Sequence, residues 1–538
     1  MNPTKNSFSR WFAVASCAVA SVSFAMAADF TGRVVDQSGN PIAYAWVTAK
    51  NLDRKIATSV LTDERGAYRV PDLFAGKYAF SVHRIGFTRV DEKELSVPYA
   101  GTARDFSLVS RSDIGEQLPA NAWLAALPDG QYKARFLRGC AICHDMGGPA
   151  TRKQRSVDEW EAVIKMMREK NDIYGTIPSF DNRQLASWLV EHDFGKKVHA
   201  KMPPMPTAKA AQAVVTEYDI GGEWTWAHDM TVEPATGAAW MGDYVNDLLI
   251  RIEPRTGALE TYPYPAKGSG AHTLHFDKDG LLWTTLQLTD MIVSFDPRTK
   301  AWRTYGGLQK GSQVHSFAYD TYGLVQYDAK GRLWVSEFAK NSIASLDPKT
   351  GNVEEIKLPT RPSADGHENA YGIAMDKKGR IWYSQYAGNS IGMYDPASGK
   401  HLTREMPRAD SSPHRLSIDD EDRLWIPESG YGKLVMYDIK ADKFTEYDMP
   451  DPDTFPYATR VDGATGKVWI TANGADSLYV FDPKTRTYEI VRLPGVLSYG
   501  RMIAIDYSDG SVWTPLSSFP NKHGNRLNSV AVRVKMPR

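Results

Sequence analysis

Beyond residue 211 the chain is built from short alternations of apolar and polar residues, and the alternation recurs as a repeat. Each unit reads as an inner strand, a tight turn with Gly, and a second strand opened by a Leu/Ile/Val–Trp pair. A third strand, an Asp-Pro-like turn and an outer strand complete it. Trp240, Trp283, Trp334, Trp382, Trp425, Trp469 and Trp513 mark the units, with gaps of 43, 51, 48, 43, 44 and 44 residues. That period fits a four-stranded propeller blade and is too long for a solenoid coil. Seven units predict a seven-bladed β-propeller over 212–538. Val214–Ile220 has the pattern of an outer strand and is expected to close the ring beside the C-terminal strands.

The first 110 residues alternate differently. Short strands separated by Gly, Asp and Pro turns over 28–110 predict an antiparallel β-sandwich. Between the two β regions the period changes to helical. Tyr132, Phe136 and Leu137 lie on one stripe over 131–139. Ser156 caps a helix over 157–170 carrying Trp160, Val163, Ile164 and Met167. Asp181 caps another over 182–192 with Leu185, Trp188 and Leu189. A small all-α domain over 125–198 follows, with linkers at 111–124 and 199–211. The expected fold class is mainly β and multidomain: sandwich, small helical domain, propeller.

Composition narrows the function classes. Lys+Arg and Asp+Glu are equal at 64 each, so no global charge favours nucleic acid. Lys5 and Arg10 precede an apolar run, Trp11 to Ala25, ending in Ala25-Met26-Ala27, which is the order of a secretory signal peptide over 1–27. The run is shorter than the roughly 20 residues a membrane span needs, and no later run spans either. The periplasm is the expected location; Val14-Ala15-Ser16-Cys17, loosely lipobox-like, leaves lipid anchoring as an alternative.

Three cysteines occur in the whole chain, and Cys17 falls in the leader. The remaining pair stands as Cys140-Ala141-Ile142-Cys143-His144. Cys-x-x-Cys-His supplies two thiols for the vinyl groups of one haem c and an imidazole, His144, for its iron. A thioredoxin-like pair would need a βαβ context, and a zinc site would need a second Cys or His pair nearby. The three helices around this motif resemble a class I-type cytochrome c domain. The Trp160-x-x-Val163-Ile164-x-x-Met167 pattern resembles the variant in quinohaemoprotein dehydrogenases, which implies Met167 as sixth iron ligand. Met166 and Met202, in Met202-Pro203-Pro204-Met205, are alternatives.

Two further resemblances follow. The order Gly32-x-Val34-x-Asp36, Gly39-x-Pro41, Thr62-Asp63-x-x-Gly66-x-Tyr68, Gly76-x-Tyr78 resembles the carboxypeptidase regulatory-like domain, a non-catalytic sandwich. Gly331-Arg-Leu-Trp-Val-Ser-Glu337 and Gly379-Arg-Ile-Trp-Tyr-Ser-Gln385, each leading to Asn-Ser-Ile, resemble the virginiamycin B lyase (streptogramin lyase) propeller.

Inner strands start near a propeller's axis. Counting 11–14 residues back from each Trp gives His228, His272, Tyr322, Tyr371, His414, Tyr457 and Tyr499 as a predicted channel ring. Three residues after each Trp stand Asp243, Leu286, Glu337, Gln385, Glu428, Ala472 and Leu516, a second in-phase set. The lyase resemblance implies a channel His as base and carboxylates that arrange Mg²⁺. His414 and Glu428 match that His and its downstream Glu, while Ser412 stands where the motif has a Glu, and Tyr371 replaces a His. Glu337 and Glu428 are the candidate ligands of a second metal. A haem beside the propeller points instead to redox work: His228, His272, His275 and His414 suit a redox metal, and a quinone is a further option. The expectation is a haem-dependent oxidoreductase with a small-molecule substrate and a periplasmic electron-transfer partner. A lyase with peripheral haem and a non-catalytic partner-binding protein are the alternatives.

Overall fold

The computed structural model describes residues 29–537 apart from 99–102, 142–144, 150, 172–180, 200, 223, 361–367, 452, 496–497 and 518–528. The leader with Cys17, and Cys143 and His144, lie outside the described residues.

Seven four-stranded sheets follow one another around a channel. The first six run in sequence order from the axis outwards, from Ala227–Pro263 to Pro456–Arg492. The seventh takes its three inner strands from the C-terminus, Ala504–Asp506, Ser511–Leu516 and Val530–Lys535. Its outer strand is Val214–Asp219, paired antiparallel from Val530↔Asp219 to Lys535↔Val214. The ring closes as the sequence pattern predicts.

The repeated Trp has a defined job. In blades two to five the Asp that opens the inner hairpin turn takes turn N–H groups on one oxygen and the indole N–H on the other. Trp283 donates to Asp277 at 2.9 Å, Trp334 to Asp328 at 3.0 Å, Trp382 to Asp376 at 2.9 Å and Trp425 to Asp419 at 2.8 Å. One carboxylate therefore fixes the turn and the orientation of the ring that fills the space between blades. Trp382, 1 % exposed, packs against Leu416, Ile426 and Val435 of the next blade.

The N-terminal sandwich has one three-stranded sheet, in which Phe30–Asp36 lies between Ala67–Val70 and Phe106–Leu108. The pairing of Phe30–Asp36 with Phe106–Leu108 is parallel, a departure from the expected all-antiparallel arrangement. The other sheet is not independent. Its strand Ile56–Leu61 pairs antiparallel with Val214–Asp219, so sandwich and seventh blade form one eight-stranded sheet.

The helical segment contains α1 (Ala120–Leu124), α2 (Gln131–Cys140), α3 (Val157–Met166) and α4 (Asn182–Glu191). Ser156 and Glu159 form a reciprocal capping box on α3, and Asp181 accepts from the Gln184 N–H at α4. α3 ends four residues earlier than the pattern predicts, passing at Met167 into a wider turn, Met167–Asn171. Residues 120–124, expected as linker, form α1, and Leu124 joins the core of α2 to α4. Apolar burial, not connection, decides that segment. Among the described residues no helix is long and apolar enough to cross a membrane.

Replacing Asp376 by Ala leaves a buried indole N–H without an acceptor and frees the turn. The expected loss is about 2–3 kcal/mol, read as a lower thermal midpoint; Asp376→Asn, which keeps an acceptor, recovers most of it.

Candidate functional site

In every blade one residue at the start of the inner strand pairs with the end of the second strand, and in all but blade three it is Ala, Gly or Pro. These pairs are Ala227 with Asp243, Ala271 with Leu286, Val314 with Glu337, Ala370 with Gln385, Pro413 with Glu428, Pro456 with Ala472 and Gly500 with Leu516. The next residue in each blade faces the axis. The ring so formed is His228, His272, His315, Tyr371, His414, Tyr457 and Arg501, each at most 2 % exposed. Ring centroids lie 4.0 Å apart for His228–His272, 3.8 Å for His272–His315 and 4.1 Å for His315–Tyr371. They lie 4.6 Å apart for Tyr371–His414 and 4.0 Å for His414–Tyr457. Arg501 lies over Tyr457, 5.5 Å from the centroid, and over Trp226 at 5.1 Å.

Five of the seven predicted ring members are therefore in place, and two are corrected. Tyr322 is half exposed at the opposite end of the channel, and His315 holds its place. The interval from His315 to Trp334 is 19 residues, against 11 or 12 in the other blades, so a fixed count overshoots into an insertion. Tyr499 is displaced by Arg501, two residues on. Gly500 before Arg501 repeats the small residue that precedes most ring members, whereas Val314 before His315 does not.

The second in-phase set occupies the predicted strand ends but does not make a shared acidic ring. Asp243 accepts from the Trp226, Val245 and Asn246 N–H groups of its own blade. Gln385 donates to Glu368 at 2.7 Å and Asn341 at 3.0 Å. Glu428 accepts from the Ser411 hydroxyl. Burial pushes both Glu337 and Glu428 up to about 7. Among the described residues, the His/Cys/Asp/Glu donors close enough to share an ion are His228, Asp229 and His272, within 4.8 Å. Neither Glu337 nor Glu428 belongs to that group of three.

That group has a different occupant. Arg415, 3 % exposed, places its guanidinium 2.5 Å from Asp229 and 3.2 Å from His272 Nδ1. Asp229 also takes the His228 Nδ1–H at 3.0 Å. The three residues form the cradle of a buried arginine, and its positive charge opposes a second cation there. Arg415 and Asp229 escape sequence reading because a bulge in each inner strand, not simple alternation, sets where they point.

The imidazoles are held neutral. Burial lowers His228 to about 4 and His275 to about 3, and drives His272, His315 and His414 well below the usual value. Two tautomers follow from their partners. His228 Nδ1 faces a carboxylate, so it carries the proton. His414 Nδ1 lies 2.7 Å from Ser429 Oγ, whose own proton goes to the Pro456 carbonyl at 2.5 Å, so Nδ1 donates here too. Among the described residues, Nε2 of His228 and of His414 is therefore a buried lone pair with no hydrogen-bond partner. Tyr371 and Tyr457 share a 2.5 Å hydroxyl–hydroxyl hydrogen bond between them.

The helical segment sits on the mouth where this ring lies. Phe136, Leu137, Ala141 and Met146 share one core with Phe338, Tyr371, Tyr386, Phe455, Tyr457 and Tyr499, and half-buried Cys140 packs against it. The Tyr386 hydroxyl donates to the Arg138 carbonyl at 2.7 Å, and the Tyr499 hydroxyl donates to the Ala141 carbonyl. Ion pairs seat the helix: Arg138 with Asp410 at 3.0 Å and Lys133 with Asp453 at 2.8 Å. Met167 is half-buried at the end of α3, while Met166 and Met202 are 41 % and 40 % exposed.

The comparisons bear on two parts of this chain. Residues 29–109 match the carboxypeptidase regulatory-like domain. Virginiamycin B lyase from Staphylococcus aureus superposes with a TM-score of 0.51 at 18% identity, covering 61% of this chain and all of the lyase. A streptogramin B lyase gives 0.52 at 17% identity over 62% of this chain and all of its own. The propeller has the virginiamycin B lyase fold. A catalytically inactive variant of the S. aureus enzyme with quinupristin superposes equally, at 0.51 and 18% identity over 61% of this chain and all of that one. No curated protein matches the chain in sequence. At these identities the likeness establishes the propeller's architecture alone.

The buried neutral imidazoles set a pH dependence. Each has a folded value below its unfolded one, so its contribution to stability is present above pH 6.5 and lost as pH falls through the folded value. Glu337 and Glu428 act in the opposite sense, losing their contribution as pH rises from about 4.5 to about 7. With His83, also lowered to about 4, six buried imidazoles outnumber the four carboxyls that burial raises, Glu337, Glu428, Asp145 and Asp453, so the thermal midpoint falls between pH 6.5 and 4.5, and His315→Gln flattens that slope.

Proposed function

We propose that this chain is an exported haem c oxidoreductase in which the propeller channel receives a small-molecule substrate and a haem beside the channel mouth accepts its electrons. The observation that supports this most is the seat of α2. The helix that ends in Cys140 shares a core with the ring residues Tyr371 and Tyr457. A protein whose propeller and Cys-x-x-Cys-His motif worked separately would have no need of that contact.

The residues fit the group the motif implies. Cys140 at the helix end, with Cys143 and His144 from the sequence, would hold the haem. Phe136, Leu137, Met146 and the propeller's aromatic side chains supply the apolar surroundings. Met167 is the preferred sixth ligand, being less exposed than Met166 and Met202. Bound there, a haem c would take up one electron at a time and pass it to a partner. The chain's own side chains position and exclude. Tyr386 and Tyr499 fix the backbone at Arg138 and Ala141, the shared core keeps water from the mouth, and neutral His228 and His414 offer lone pairs for substrate protons. Export rests on the leader sequence over 1–27.

A second reading is a Mg²⁺-dependent carbon–oxygen lyase, favoured by the fold and by the oriented, unprotonated His414 with Glu428 nearby in sequence. The two readings separate by experiment. Protein purified from a host that matures c-type cytochromes is expected to carry one covalent haem, absent in Cys140→Ala and Cys143→Ala. Its haem is reduced by a substrate found in a screen of small molecules, and Asp410→Asn, which loosens the seat of α2, slows that reduction about tenfold. A product with a new double bond, formed without haem reduction and abolished by chelation, would establish the lyase instead.

A further inference from the structure

Blades three, four and five carry Glu337, Gln385 and Glu428 at one position, the end of the second strand where it pairs with the start of the inner one. All three are 0 % exposed, so each needs partners inside the protein. Gln385 has them: it donates to Glu368 and Asn341 and accepts from the Ser390 hydroxyl at 2.8 Å. Glu428 accepts on one oxygen from the Ser411 hydroxyl. Among the described residues, Glu337 has no hydrogen bond to either oxygen. The difference comes from the neighbouring blade. Ser312 and Ser411 both stand two residues before the inner-strand residue that pairs with the glutamate. Asn389 takes the Ser411 N–H at 2.6 Å, and the Ser411 hydroxyl reaches Glu428. Ser312 instead faces Asp290, whose carboxylate takes its hydroxyl at 3.3 Å together with the Gly311 and Gln313 N–H groups.

A second carboxylate adjoins Glu337. Burial and the neighbouring Glu355 push the Glu337 carboxyl up to about 7, while the Ser342 and Ser312 hydroxyls pull the other way. Glu337, Ser342 and Lys357 are successive cross-strand partners on one face of the blade, and Glu355 stands two residues before Lys357 on that face. Lys357 donates to the Lys340 carbonyl at 2.8 Å. Glu355 accepts the Gln309 N–H at 2.5 Å and, among the described residues, has no ion pair. Two carboxyls so placed cannot both ionise without a positive charge between them.

We infer that Glu337 and Glu355, with the Ser312 and Ser342 hydroxyls, form a binding site for one calcium ion between blades two and three. The donor set decides the class. It is all oxygen, with no nitrogen or sulfur ligand, and so suits a hard cation. Calcium accepts carboxylates and neutral oxygens in a flexible shell, whereas magnesium holds to a strict octahedron and keeps several waters. Glu337 supplies the buried side of the shell and the exposed Glu355 its solvent side, where water completes it. The ion ties the second strand of blade three to its outer strand and, through Ser312 and Asp290, to blade two. The site is separate from the group of His228, Asp229 and His272 that Arg415 occupies. It stands whether or not the chain carries haem.

Full-length protein treated with EDTA and then titrated with CaCl₂ by calorimetry tests the site. One calcium per chain is expected, with a higher thermal midpoint at saturation. Glu337→Gln, which installs the residue type that blade four carries there, should weaken binding about a hundredfold. Glu355→Gln, on the exposed outer strand, should weaken it about tenfold, and so should Ser312→Ala. These two variants answer the same question should Glu337→Gln fold poorly. Glu428→Gln should leave calcium affinity unchanged. Loss of binding in Glu428→Gln with none in Glu337→Gln would overturn the assignment by moving the ion to blade five. Equal affinity for MgCl₂ would overturn the choice of calcium. No calcium uptake, with Glu337→Gln more stable than the parent, would overturn the site in favour of a proton shared by the two carboxyls.

Discussion

Strand Val214–Asp219 is hydrogen-bonded along both edges, to Val530–Lys535 on one side and to Ile56–Leu61 on the other. Seven twisted sheets leave an open seam unless one blade is assembled from both ends of the chain, and this strand closes it. The same residues extend the seventh blade into the sandwich, so neither sheet presents a bare edge at the junction. The strand also fixes where the helical segment can lie. That segment precedes Val214 by a short connection, and its other end is tied to the sandwich. With both tethers at blade seven, it comes to rest over the neighbouring channel mouth.

From that placement the rest of the site follows. Inner strands begin at the covered mouth, so their first side chains form a ring directly under α2. Burial there is complete, which keeps the imidazoles neutral and makes every unpaired polar atom costly. Arg415 is tolerated because Asp229 neutralises it and His272 accepts from it. His414 is held by Ser429, and Ser429 by the Pro456 carbonyl. This is a site whose proton positions are set by neighbours, the condition under which a base or ligand works without reorganisation.

The insertion in blade three shows how one departure from a repeat can change a whole molecule. The other blades turn back promptly after the inner strand. In blade three the added residues reach across the axis to Gly463 and Tyr507, so a channel that would be open at the far end is closed by its own chain.

The seven Trp positions, their turn acids and the Gly turns are local chemistry repeated at a fixed period. For that reason the propeller, its closing strand and the sandwich were legible in the sequence, as were the caps Ser156 and Asp181. The Cys-x-x-Cys-His motif is likewise local, five residues long, and the haem it implies belongs to the proposed function. His315, Arg501, Arg415 and Asp229 were not legible as site residues. Their directions depend on an insertion and on strand bulges, which a count along the chain cannot register. α1 was hidden because five residues give no period to read, and only burial against α2 to α4 makes them a helix. The sequence by itself determined which modules exist and which residue types meet at the axis. Tertiary structure alone decided that the Cys140 helix lies over the ring, because that contact joins residues more than two hundred positions apart through burial and two ion pairs.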